Sequence, residues 1–150
     1  MKRKSAEDIM RLKSNRPVVC LTAYTAPIAR ALDEVVDLLL VGDSLGMVLY
    51  DYENTLKVSL SQIIEHTKSV VKATKKSCIV ADLPYGTYEE SKEIAFSNSS
   101  KLMKVTNCNA IKLEGGQNMY ETVKYLANRS IPVMGHIGLQ PQRVLIEGGY

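Results

Sequence analysis

The chain has no tryptophan, a single phenylalanine and only three cysteines in 150 residues. Cys20, Cys78 and Cys108 are odd in number, widely separated and set in apolar stretches. That excludes a disulfide framework and reads as three reduced core thiols in a cytoplasmic protein. With no C-x-x-C pair and no His/Cys cluster, zinc has no ligand set. Excess charge is also scarce: 19 Lys+Arg against 16 Asp+Glu leave +3, too little and too dispersed to argue for nucleic acid. Apolar runs such as Leu38–Val41 fall far short of the roughly 20 residues a membrane span needs. The basic start at Lys2, Arg3 and Lys4 leads into no apolar segment, and Glu7 and Asp8 argue against an acid-poor transit peptide. Hydrophobic residues at 45% and charged residues at 23% are the balance of a folded domain, and the length holds one.

What the chain does have is alternation. Short β-rich runs recur at 18–22, 37–42, 78–81, 110–113 and 132–135, with helical periodicity between them. After Ser59, apolar residues at Leu60, Ile63, Ile64, Val70 and Val71 fall on one helix face. Ser59 with Gln62 reads as a capping box, and so do Thr87 with Glu90 and Asn118 with Glu121. Pro27 suits the first turn of a helix running toward Asp33, and a shorter helix is expected near Ser5. Near-continuous apolar strands separated by helices predict a parallel α/β sheet, either doubly wound or part of a (β/α)8 barrel. The stretch Gly42-Asp43-Ser44-Leu45-Gly46 lacks the G-x-G-x-x-G spacing and carries an acid where a pyrophosphate would sit, which disfavours a dinucleotide site.

Four successive strands stop on polar residues: Asp43-Ser44, Asp82, Lys112 with Glu114, and His136. Parallel strands point the same way, so these residues converge on the C-terminal rim of the sheet. Lys112 and Glu114, two apart in an extended chain, share a side. Singly, each has a plain structural role. Asp43 or Asp82 could cap a turn, Lys112 could neutralise Glu114, and His136 could be a hydrogen-bonded rim residue. His66, mid-helix beside charged neighbours, reads as solvated surface. Together, three carboxylates without a thiolate or imidazole cluster suit a hard cation such as Mg2+. Such an ion could chelate a 2-oxo acid, acidify the neighbouring C–H and stabilise the enolate, with Lys112 supporting the developing charge.

Five motifs in order make the chain resemble the 3-methyl-2-oxobutanoate (ketopantoate) hydroxymethyltransferase family. They are Leu21-Thr22-Ala23-Tyr24-Thr25-Ala26-Pro27, Leu40-Val41-Gly42-Asp43-Ser44-Leu45-Gly46-Met47, Ala81-Asp82-Leu83-Pro84-Tyr85, Ile111-Lys112-Leu113-Glu114-Gly115-Gly116 and Met134-Gly135-His136-Ile137-Gly138-Leu139. The resemblance implies a (β/α)8 TIM barrel of which residues 1–150 are the N-terminal portion of a single domain, with about the first five strands and a preceding helix. It implies Asp43, Asp82 and Glu114 at a Mg2+ site, and Asp43, Ser44, Asp82 and Lys112 in contact with substrate. His136 is placed at the rim without a defined role. The implied reaction transfers a hydroxymethyl group from 5,10-methylenetetrahydrofolate to 3-methyl-2-oxobutanoate, giving 2-dehydropantoate in pantothenate biosynthesis. The family's proteins are cytoplasmic homo-oligomers, typically decamers.

The family's general base is a glutamate on a later strand, and no residue up to Tyr150 takes that part. Lys57 stands where the family usually has Pro, Gln140 where it has Thr, and Asn107 where it has Gly, which Asn replaces with little strain in a left-handed turn. A full barrel takes about 250 residues, so five strands are expected to leave an open edge. The alternatives at this point are a truncated remnant that at most binds metal or oxo acid, and another Mg2+/oxo-acid barrel lyase of the isocitrate lyase kind.

Overall fold

The computed structural model describes residues 3–148. Met1, Lys2, Gly149 and Tyr150 lie outside the described residues, and with them the sequence readings made at Lys2 and at the final Gly-Tyr step. A short helix α1 (Ala6–Met10), capped by a Ser5–Asp8 capping box, precedes the sheet. Strands β1 (Cys20–Thr22), β2 (Leu38–Val41), β3 (Cys78–Asp82), β4 (Ala110–Glu114) and β5 (Val133–His136) then alternate with helices. These are α2 (Ala26–Leu32), α3 (Leu45–Tyr50), α4 (Leu60–Ala73), α5 (Lys92–Thr106), α6 (Tyr120–Ala127) and α7 (Val144–Glu147).

All strand pairs are parallel and the spatial order is β1-β2-β3-β4-β5, the order in the chain. A doubly wound sheet reverses direction at a switch point; this one never does. It is the winding of a partial (β/α)8 barrel preceded by a helix. The two-residue period of each strand sorts its side chains. Leu39, Val41, Ile79, Ala81, Ile111 and Leu113 join the main core with Ile63 and Val70 of α4, Leu102 of α5 and Leu126 of α6. The alternate residues Leu38, Cys78, Val80 and Ala110 form a second cluster on the other face, where Ala6 and Ile9 of α1 pack against them. That parity puts Asp82, Lys112, Glu114 and His136 on the face opposite α4, α5 and α6, at the carboxyl ends of their strands.

The helices begin where local chemistry allows. Ser59 and Gln62 form the expected capping box of α4, and Pro27 lies in the first turn of α2. Asn107 ends α5 with φ of 59°, the left-handed position the sequence had marked. Two expected caps fail. The Thr87 hydroxyl donates to the Pro84 carbonyl (2.6 Å), and α5 is capped by Ser91 instead. Asn118 accepts from the Gly116 N–H within a 3-10 turn, so α6 starts only at Tyr120 without a side-chain cap. In both cases a tight loop turn captured the side chain before the helix could. Cys20 also departs from the core-thiol reading. It is exposed, because β1 is an outer strand, whereas Cys78 and Cys108 are buried. Burial pushes the Cys78 thiol up to about 11 and raises Cys108 as well, so both stay protonated.

The amino ends of the strands are held by charge. Asp37, just before β2, accepts both terminal guanidinium nitrogens of Arg16 (2.6 Å each), the Lys4 ammonium (2.7 Å) and the Val19 N–H (3.0 Å). The Arg16 and Lys4 bonds hold its carboxyl far below the ordinary range. A depressed acid stabilises the fold above its unfolded pKa of about 3.9 and loses that contribution as pH falls toward its folded value. Asp37→Asn should therefore cost about 1–2 kcal/mol at pH 7, the low side for charged hydrogen bonds because Arg16 and Lys4 remain partly exposed. Urea unfolding of both proteins should show the difference narrowing progressively below about pH 4.

Candidate metal centre

The strand-end residues meet as the parity requires. Register pairs Asp82 with Lys112 across β3–β4 and Glu114 with His136 across β4–β5. The Lys112 ammonium donates to both oxygens of Asp82 (2.9 and 2.8 Å) and lies 3.4 Å from Glu114 Oε1. Its main partner is thus Asp82 on the neighbouring strand, not Glu114 on its own. Asp43, two residues past β2, is carried in by the turn, and its N–H donates to Asp82 Oδ2 (3.3 Å). Asp43, Asp82, Lys112 and Glu114 are all buried. Ser44 follows, with its hydroxyl 2.7 Å from that of Tyr24. His136 is half-buried; its Nδ1 is 3.3 Å from Glu114 Oε1 but at an angle that makes no hydrogen bond.

Three buried carboxylates therefore face one ammonium. Burial pushes Asp82 up to about 7, with Lys112 opposing and the charge of Asp43 adding to the rise. Burial raises Asp43 too, against the hydrogen bond from Gln142 and the charge of Lys112. Burial also works against the Lys112 ammonium, but Asp82, Glu114 and Asp43 together outweigh it and hold its pKa above that of an ordinary lysine.

Oxygen ligands only, with more negative charge than the neighbouring ammonium neutralises, are what a hard cation could use. Among the described residues no three acid, His or Cys side chains stand close enough to form a complete ligand cage. Mg2+ does not require one, since it usually takes one or two carboxylates and leaves its other positions to water and substrate. Two further features fit. The Thr55 hydroxyl is buried beside Asp43 and adds an uncharged oxygen to the set. Gly42 leaves open a space in which a Cβ would lie 3.3 Å from Ser44 Oγ and 3.7 Å from Asp82 Oδ2. A cleft of about 540 Å3 lies beside the acids without any of them on its wall; Met47, Thr55, Leu139 and Pro141 are among its lining residues.

Sequence reasoning missed three participants. Gln142, in the 3-10 turn Pro141–Arg143 after β5, is buried and donates its side-chain amide to Asp43 Oδ2 (2.8 Å). Tyr88 accepts from the Glu114 N–H (3.2 Å) and donates to Gln142 Oε1 (2.6 Å). His66 is not solvated surface. It is half-buried, its Nδ1 lies 2.6 Å from the Tyr24 carbonyl, and its Nε2 is 2.8 Å from the Tyr50 hydroxyl. A carbonyl only accepts, so Nδ1–H donates to it, and in the neutral ring Nε2 accepts a hydrogen bond from the Tyr50 hydroxyl. Loops supply the Gln142 and Tyr88 contacts and the Tyr24 carbonyl, and strand periodicity does not report on loops.

An acid with a raised pKa binds its proton more tightly folded than unfolded, so Asp82 lowers stability as pH rises from about 4 to about 7. Without added metal, the wild-type chain should lose stability across that interval. Asp82→Asn should flatten the decline, as read from urea midpoints measured at pH 5 and pH 7.5.

A sequence profile of the Ketopantoate hydroxymethyltransferase family matches residues 3–150. The 3-methyl-2-oxobutanoate hydroxymethyltransferase of Rhizobium etli is 54% identical over 149 residues, covering 99% of this chain and 55% of that protein. Its counterpart in Paramagnetospirillum magneticum is 53% identical over 150 residues, again covering 55% of the relative. The chain thus spans about half the length of the curated relatives it matches. Among solved structures, a phosphonopyruvate hydrolase complexed with oxalate and Mg2+ superposes with a TM-score of 0.67 at 12% identity, over 97% of this chain and 56% of that one. A 2,3-dimethylmalate lyase of the PEP mutase/isocitrate lyase superfamily gives 0.57 at 14%, over 90% and 51%. At such identities the likeness is one of fold. With five motifs in order, the strand-end acids gathered at one rim and the match running over residues 3–150, the chain belongs to the ketopantoate hydroxymethyltransferase family.

Proposed function

We propose that residues 1–150 form the N-terminal portion of a single barrel domain that transfers a hydroxymethyl group from 5,10-methylenetetrahydrofolate to 3-methyl-2-oxobutanoate, in the cytoplasm and within a homo-oligomer. The observation that supports this most is the excess of buried carboxylate at the rim of a chain matching the family over residues 3–150. Asp43 and Asp82 would hold Mg2+, with Glu114 as the third acid beside them. Bound there, the ion supplies charge withdrawal from the keto acid.

The chain's own groups account for the rest. Ser44, its hydroxyl fixed by Tyr24, meets the substrate carboxylate. Loss of the C3 proton leaves negative charge shared with the keto oxygen, and the Lys112 ammonium, held charged by its acid neighbours, opposes that charge. C3 then bonds to the folate methylene carbon, whose two C–N bonds break, and water supplies the hydroxyl oxygen. The C3 proton and one proton of that water go to the two folate nitrogens. The glutamate that removes the C3 proton belongs to the later strands of the barrel.

The test is isotope exchange. The chain, co-expressed with the C-terminal part of a relative, should exchange C3 hydrogen of 3-methyl-2-oxobutanoate for deuterium in D2O when Mg2+ is present. EDTA should abolish the exchange, and Asp43→Asn should reduce it by about 100-fold or more. A folded, complemented protein that exchanges no deuterium would contradict the proposal.

A further inference from the structure

We infer that Gln142 is a positioning residue of the metal site, its side-chain amide holding the Asp43 carboxylate ready for the cation. The inference rests on the metal reading above and concerns how the chain itself prepares that site. Gln142 is only 4% exposed, and both the nitrogen and the oxygen of its amide are hydrogen-bonded. Nε2 donates to Asp43 Oδ2 (2.8 Å) and to the Leu83 carbonyl (3.0 Å), while Oε1 accepts from the Tyr88 hydroxyl (2.6 Å). Its backbone N–H donates to Glu114 Oε2 (3.1 Å). One residue therefore orients two of the three acids, from a loop 99 positions away from Asp43.

The amide's orientation is forced. Flipped, its oxygen would face the Leu83 carbonyl and the Asp43 carboxylate, two acceptors with no proton between them. Its NH2 would then face Tyr88, whose hydroxyl oxygen already accepts the Glu114 N–H. Neutrality matters equally. Asp82 is held by an ammonium, which offsets its charge, whereas Asp43 is held by an amide, which fixes the carboxylate and leaves its charge for a cation. A lysine in the same place would spend that charge, and a glutamate would repel it.

Binding of Mn2+, followed by the loss of its free-ion electron paramagnetic resonance signal, tests this without turnover. The wild-type chain should take up Mn2+. Gln142→Met, close in length but without donors, should bind it about 10- to 100-fold more weakly. Tyr88→Phe keeps Gln142 but frees Oε1, and should weaken binding about 3- to 10-fold, acting one hydrogen bond further out. A purely structural Gln142 would lower the unfolding midpoint and leave the affinity of the folded protein unchanged. If Gln142→Met does not fold, Gln142→Asn, whose shorter side chain draws the amide back from Asp43 while Tyr88 keeps its bond to Glu114, decides. Unchanged affinity in the folded variants, with wild type binding, overturns the role of Gln142 alone. Absence of Mn2+ uptake by folded wild type overturns the metal reading and this inference with it.

Discussion

The buried ion pair between Lys112 and Asp82 is the constraint around which the rest is arranged. Taking a carboxylate out of water is costly, and a partner's attraction repays it only with good geometry. Here an ammonium from the next strand reaches both oxygens of Asp82 and borders Glu114. One positive charge among Asp43, Asp82 and Glu114 does not balance them, so the cluster is stable enough to form and still short of cation. That incomplete neutrality, rather than any single residue, is what makes the rim a candidate for binding a cation.

The fold delivers this cluster by simple means. Parallel strands in sequential order bring their carboxyl ends to one edge, and the two-residue period sends Asp82, Lys112, Glu114 and His136 to the face away from α4, α5 and α6. The apolar halves of β2, β3 and β4 are sealed by α4, α5 and α6. At the opposite end the work is done by charge: Arg16 and Lys4 close on Asp37, and Arg3 reaches the carbonyls of Asn107 and Val71. The charges at the amino ends of the strands are thus paired, while those at the carboxyl ends are left in excess.

Much of this was legible in the sequence where the cause is local. Strand apolarity, the Ser59–Gln62 box, Pro27 in α2 and the left-handed Asn107 each depend on near neighbours, and each stands as read. The convergence of Asp43, Asp82, Lys112 and Glu114 was legible because parallel strands share a direction. What stayed hidden depends on loops folding back. Gln142 meets Asp43 across 99 residues, and Tyr88 meets Glu114 across 26. Thr87 and Asn118 carry cap-like spacing but are taken by turns, and His66 is drawn inward by a carbonyl that no helical pattern announces. Cys20 looked like a core residue because its neighbours are apolar; its exposure follows from the outer place of β1.

The central claim is that the acids at this rim are a cation site and not merely a structural charge cluster. Anomalous X-ray diffraction from crystals of the chain grown with Mn2+ tests it most directly. If these acids bind a cation, a manganese peak lies within bonding distance of Asp43 and Asp82. A well-ordered rim with no such peak, or with manganese bound only elsewhere on the surface, would contradict it.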